Sequence, residues 1–176
     1  MRQSCVRTWI SCLALLTAAG CTLAPRGTPP SSVLVPTDPR TLAYGRTNAD
    51  LLANPEIGGK IRDLFGADWR PASVAGGSLA LGAEAYFDQG GPTGVVRVGD
   101  ADYIAVSGCA PRSCASRHVL LLIQPGGTRL LARLDEGGFV HYYGYGNDVR
   151  SAEQPIMDSA LHALYRGGNP YPSGRS

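Results

Sequence analysis

The chain has 176 residues, 44% hydrophobic and 17% charged, with 23 Gly and 13 Pro; this suits one globular domain with irregular segments and excludes collagen, a coiled coil and a wholly disordered chain. Arg2 and Arg7 stand in an N-terminal leader, and without them 14 basic residues face 14 acidic ones, so no net charge draws the chain to nucleic acid or to an anionic membrane surface. Lys60 is the one lysine, and no block of like charge forms an electrostatic tail.

Residues 1–20 have the layout of a secretory signal peptide: two arginines, an apolar run from Thr8 to Leu16, then Ala18-Ala19-Gly20. The run is too short to span a bilayer. Thr17-Ala18-Ala19-Gly20-Cys21 resembles the lipobox of bacterial lipoproteins, which implies lipidation of Cys21, cleavage before it and an anchor in the envelope. Thr22, in place of Asp, resembles an outer-membrane address, so the expected location is the periplasm, on a lipid anchor. Cys5 and Cys12 leave with the leader, and Cys109 and Cys114 remain as the pair in the folded domain. An oxidising compartment makes a disulfide their expected state. A metal half-site would lack its other half, because His118, His141 and His162 show no ligand spacing.

From Cys21 to Arg46 the chain is rich in Pro, Ser, Thr and Gly, which predicts an extended tether over 21–46. At about 5–6 Å × √n such a segment would hold a domain roughly 30 Å from the membrane. The folded domain is expected over 47–168, with a tail over 169–176. Asn48 or Asp50 is the predicted cap of a helix through Leu51 and Leu52 that continues, after Asn54-Pro55, through Ile57, Ile61, Leu64 and Phe65. Short segments then alternate with turn signals: Leu79–Phe87, Gly94–Val98, Tyr103–Ser107, His118–Gln124, Arg129–Leu134 and Phe139–Tyr145. The predicted turns include Gln89-Gly90-Gly91-Pro92, Gly99-Asp100 and Glu136-Gly137-Gly138. A second amphipathic helix is predicted over Asp148–Arg166, stopped by Gly167-Gly168. The expected fold is α+β: one antiparallel sheet of about five strands with helices on one face.

Catalytic signatures are absent from the sequence: no Gly-x-Ser-x-Gly, no phosphate-binding loop and no His-Glu-x-x-His. Asp135 and Glu136 are adjacent on a strand end, so they cannot share a cleft as an acid/base pair and read as a solvated turn. His118, beside Arg117, reads as a surface residue at a strand start. His141 among Tyr142, Tyr143 and Tyr145 reads as a strand half in the core and half at the surface. The chain is expected to be neither an enzyme nor a cofactor protein.

One segment carries more information. Tyr103–Ser107 and His118–Leu122 are apolar strands flanking Cys109-Ala110-Pro111-Arg112-Ser113-Cys114. A disulfide across four residues fixes this tip, and Pro111 removes a further backbone freedom, which leaves Arg112 at the apex. Rigid presentation lowers the ordering cost of binding, as in inhibitors that enter enzyme clefts; a plain hairpin staple is the alternative on these grounds.

The segment resembles the Ivy family, periplasmic inhibitors of vertebrate (c-type) lysozyme, whose loop reads Cys-Lys-Pro-His-Asp-Cys. Tyr103, Ser107, Cys109, Pro111, Cys114 and Ser116 stand at matching places, and Leu134-Asp135-Glu136 resembles the family's Ile-Asp-Glu. Where the family has Lys, His and Asp, this chain has Ala110, Arg112 and Ser113. The resemblance implies a loop inserted into a muramidase cleft, with Arg112 taking the role of the His that engages the two catalytic carboxylates and Ala110 and Ser113 as flanking contacts. A guanidinium suits that role, being always charged and able to bind carboxylate bidentately. The implied partners are a host c-type lysozyme, the cell's own lytic transglycosylases, or a hydrolase delivered by a competitor, against which the protein would act as an immunity factor. Family members include dimers, which implies that a homodimer is open to this chain. The alternative class is a structural envelope lipoprotein with no enzyme target.

Overall fold

The computed structural model describes residues 30–35, 37–145 and 153–165. The leader, Cys21, the tether up to residue 29, Asp148, the Gly167-Gly168 stop and the tail lie outside them.

Six strands form one antiparallel meander in the order β1 to β6. They are β1 Ser32–Val35, β2 Gln89–Val98, β3 Ala101–Cys109, β4 Arg117–Ile123, β5 Leu130–Glu136 and β6 Phe139–Tyr145. Between β1 and β2 come α1 Asn48–Ala53, α2 Gly58–Phe65, the four-residue α3 Ala72–Ala75 and three 3-10 turns; α4 Gln154–Tyr165 follows β6. The predicted α+β antiparallel sheet is thus present, with one strand more than the sequence suggests.

Helices cover both faces of the sheet, where the sequence predicts one. Ile104, Val106, Val119, Leu121, Leu130 and Leu134 pack with Leu51, Ile57, Ile61, Phe65 and Phe87 on the first face. Val96, Tyr103, Ala105, Leu120, Leu122 and Leu131 pack with Met157, Ala160 and Leu164 of α4 on the second. The cause lies in β3 and β4, where consecutive residues Tyr103–Ala110 and Val119–Ile123 are all buried; strands this apolar along both faces need cover on both sides.

The second half of the predicted tether belongs to the domain. Val33-Leu34-Val35 are β-branched or apolar, and Ser32–Val35 pairs in register with Val98–Val95 of β2. Gly99 N–H donates to Ser31 O at 2.9 Å, and Thr41 and Tyr44 are buried. Pro39 lies past the strand, where it opens a 3-10 turn over Pro39–Leu42.

Thr47, not Asn48 or Asp50, caps α1. Its Oγ1 accepts from Asp50 N–H at 3.1 Å, and Asp50 Oδ2 accepts from Thr47 N–H at 3.0 Å, a reciprocal capping box. Asn54, preceding Pro55, turns to ψ 125° and ends α1, because proline disfavours helical backbone before it. Gly58 opens α2, and a Cβ there would collide with Leu52 O. The expected turn Gln89–Pro92 is the first half of β2, bulged between Pro92 and Gly94. Leu79–Phe87 is not a strand: Gly82, at φ +73°, leads into a 3-10 turn over Ala83–Phe87 that buries Tyr86 and Phe87. The last helix begins at Gln154.

Candidate functional site: the disulfide-closed loop

The loop between β3 and β4 stands at one end of the sheet, together with Gln89 and the β5–β6 turn. The Gly99-Asp100 turn and the entry of the chain at Ser31 lie at the other. Cys109 and Cys114 form the disulfide, with 4.9 Å between their Cα atoms. Cys109 and Ala110 are fully buried, Ser113 and Cys114 half-buried, and Pro111 and Arg112 exposed. The structure therefore brings all six loop residues together on a base that is part of the core.

Backbone hydrogen bonds complete the frame. Ala110 N–H donates to Arg117 O (3.1 Å), Ser113 N–H to Ala110 O (3.1 Å), and Arg117 N–H to Ser113 O (2.8 Å). Ala110–Ser113 is a β-turn with Pro111 at its second position and Arg112 at its third. Arg112 has φ +62°, the one non-glycine residue with positive φ among the described residues. Type II turns place proline second and require positive φ third, where glycine is usual. An arginine held there costs on the order of 1–2 kcal/mol, and such strain gathers at contact sites.

Beneath the loop, α1 holds the strands. Asn48 is buried, and its Nδ2 donates to Gln89 O at 3.0 Å and Ser107 O at 3.3 Å. Gly108 lies so close to Tyr86 O and to Asn48 that no Cβ fits. Gln89 Oε1 lies 3.6 Å from Cys114 Sγ. Asn48 and Gln89 are positioning residues that the sequence did not single out; reading Asn48 as a cap hid its reach to the strands. A groove of about 660 Å³ runs beside the loop, walled by Thr47, Leu52, Phe87, Asp88 and Pro111.

A polar network flanks the base on the α4 face. His118 stands opposite Cys109, and Asp135 opposite His118. His118 Nε2 is 2.9 Å from Asp135 Oδ2, and Arg133 reaches Asp135 Oδ1 at 3.0 Å and Asp158 Oδ1 at 2.7 Å. Burial pushes the Asp135 carboxyl up, but the hydrogen bonds from His118 and Arg133 outweigh it and hold it below the usual carboxylate range. Glu136 points to the opposite face, where Oε1 accepts from Ala80 N–H at 3.1 Å. The two acids are thus held apart, as adjacency on a strand requires, but both are engaged rather than solvated, and His118 is half-buried rather than a surface residue.

Tyr142 OH donates to Asp158 at 3.0 Å and Tyr143 OH to Asp68 at 3.0 Å, with the Tyr143 ring 4.7 Å from that of Phe65 and tilted 58° to it. These tyrosines are half-buried structural side chains. Among the described residues no three His, Cys, Asp or Glu gather as a metal site, and no helix is long and apolar enough to cross a membrane. No protein family, no curated protein and no solved structure matches this chain.

Proposed function

We propose that the protein is a lipid-anchored envelope inhibitor of a lysozyme-like muramidase, with the 109–114 loop as the plug and Arg112 as the group that pairs with the enzyme's catalytic carboxylates. The observation that carries this reading is the exposed Pro111-Arg112 apex, strained into a positive φ on a buried, disulfide-closed base. A strained cation kept rigid in solvent serves no packing purpose, and it loses little entropy when a partner engages it. An acidic cleft supplies what the guanidinium seeks: charge and two acceptors in a plane.

Ten residues separate Cys21 from Ser32, a span of at most roughly 40 Å. The chain enters the sheet at the end opposite the loop, so an anchor on Cys21 leaves the plug on the far side of the domain from the membrane. β3 alone, with nine residues, extends roughly 30 Å in that direction.

The test is inhibition by the soluble domain of a c-type lysozyme and of a lytic transglycosylase, read as slowed turbidity loss of cell-wall suspensions. Stoichiometric inhibition of either is expected. Unchanged clearing by both, with the disulfide formed, overturns the proposal.

A further inference from the structure

The loop is joined to a second hairpin tip. Gly137 N–H, in the β5–β6 turn, donates to Ser116 O at 2.9 Å, and Arg117 pairs in register with Glu136, which pairs with Phe139. Loop and turn are therefore tied to each other by a hydrogen bond and by the shared β4–β5 register. Phe139 is 74% exposed and Val140 41%. Leu81, partly exposed, follows Ala80, whose N–H is bound by Glu136 at this same tip. Phe139 is the one aromatic ring among the strongly exposed large apolar side chains of the described residues.

Three of the described segment ends lie away from this tip. Ser31 lies at the opposite end, where its carbonyl accepts from Gly99 N–H. Tyr145, which pairs with Leu130, and Glu153, which is bound to Arg129 at 2.6 Å, lie at that same opposite end. A ring exposed on a tip bonded to the loop and away from those segment ends has the composition of an interface anchor, since Phe is enriched at interface cores and arginine among hot spots.

Building on the muramidase reading, we propose that Phe139 is a second anchor of the same interface and docks in an apolar-walled, sugar-binding subsite of the cleft whose carboxylates Arg112 engages. Two to three strand spacings, roughly 10–14 Å, separate the tips, so one elongated cleft can receive both. Such clefts hydrogen-bond the sugar hydroxyls while an apolar or aromatic wall takes the ring's C–H face, and a phenyl face offers that wall an apolar surface of the same kind.

Calorimetric titration of c-type lysozyme and of a lytic transglycosylase tests this with the parent, Phe139→Ala, Phe139→Trp and Arg112→Ala. On the enzyme the parent binds, Phe139→Ala is expected to weaken affinity about 10- to 30-fold, and Phe139→Trp to stay within about threefold. A photoreactive benzophenone placed at 139 is expected to cross-link to cleft residues of that enzyme. Phe139→Ala at parental affinity, or absence of the cross-link, overturns the second anchor while Arg112→Ala still reports on the plug. Loss of binding by neither variant, or no binding by the parent, overturns both.

Discussion

Removing the disulfide separates what the loop does for the fold from what it does for a partner. Cys109→Ala/Cys114→Ala opens a ring with a sequence separation of 5, and in the chain-entropy model closure of so small a ring contributes about 2 kcal/mol. For a domain of this size that is a fall in Tm of about 6–10 °C. The base survives because Ala110 N–H and Arg117 N–H keep their backbone partners and Cys109 is surrounded by core. Pro111 and Arg112 lose their constraint, and the positive φ at Arg112 relaxes. Restoring it on binding costs about 1–2 kcal/mol for the Arg112 backbone, while the exposed side chain is ordered at the same cost in both proteins. This predicts affinity lower by roughly 5- to 30-fold. Thermal unfolding followed by circular dichroism and calorimetric titration of the inhibited muramidase give the two numbers. Parental affinity at the lowered Tm would refute the idea that rigidity makes the plug, and a Tm fall beyond about 20 °C would show the disulfide to be a staple of the fold itself.

Arg112→Gly relieves the positive φ and is expected to leave stability unchanged or raise it by up to about 1 kcal/mol, while binding is lost; a clear fall in Tm would contradict the turn assignment. The acid limb of stability should depend on Asp135. Its carboxyl sits below the usual value in the folded protein, so the unfolded chain binds more protons between the folded and unfolded values, and stability gained above about pH 4 is lost as pH falls through the depressed folded value. Asp135→Asn should flatten that limb in urea titrations between pH 2 and 6, and should destabilise at neutral pH because the negative charge is lost and one of the two oxygens facing His118 and Arg133 becomes an NH2 donor; an unchanged slope would show that the pair carries no linkage.

The later hairpins were legible because their punctuation is local. Phe139–Tyr145 is strand β6 from end to end, and the Gly99-Asp100 and Glu136–Gly138 turns fall where glycine demands them. β1 was not legible: four residues among prolines carry too little periodicity, and what makes them a strand is the exposed edge of β2, a long-range partner. The same holds for Gln89–Pro92, whose glycines signal a turn but fit a strand that passes close to Ser107 and Gly108. Both-sided burial of β3 and β4 was written in the apolar residues along both their faces, though composition alone did not reveal that α4 supplies the second cover. At the site, Cys109, Pro111 and Cys114 announced a closed loop. The strain at Arg112, the clamp from Asn48 and the bond from Gly137 to Ser116 depend on tertiary geometry.

Titration of Arg112→Ala against the inhibited muramidase is the most direct test of the central claim, that a guanidinium at the loop apex meets the enzyme's catalytic carboxylates. A charge desolvated between two acids typically costs about 2–5 kcal/mol when truncated, so affinity is predicted to fall on the order of 30- to several thousand-fold. Arg112→Lys should recover part of it, since an ammonium keeps the charge and loses the fork. Arg112→Ala at parental affinity, with a native circular dichroism spectrum, would contradict the account and leave the disulfide loop a hairpin staple.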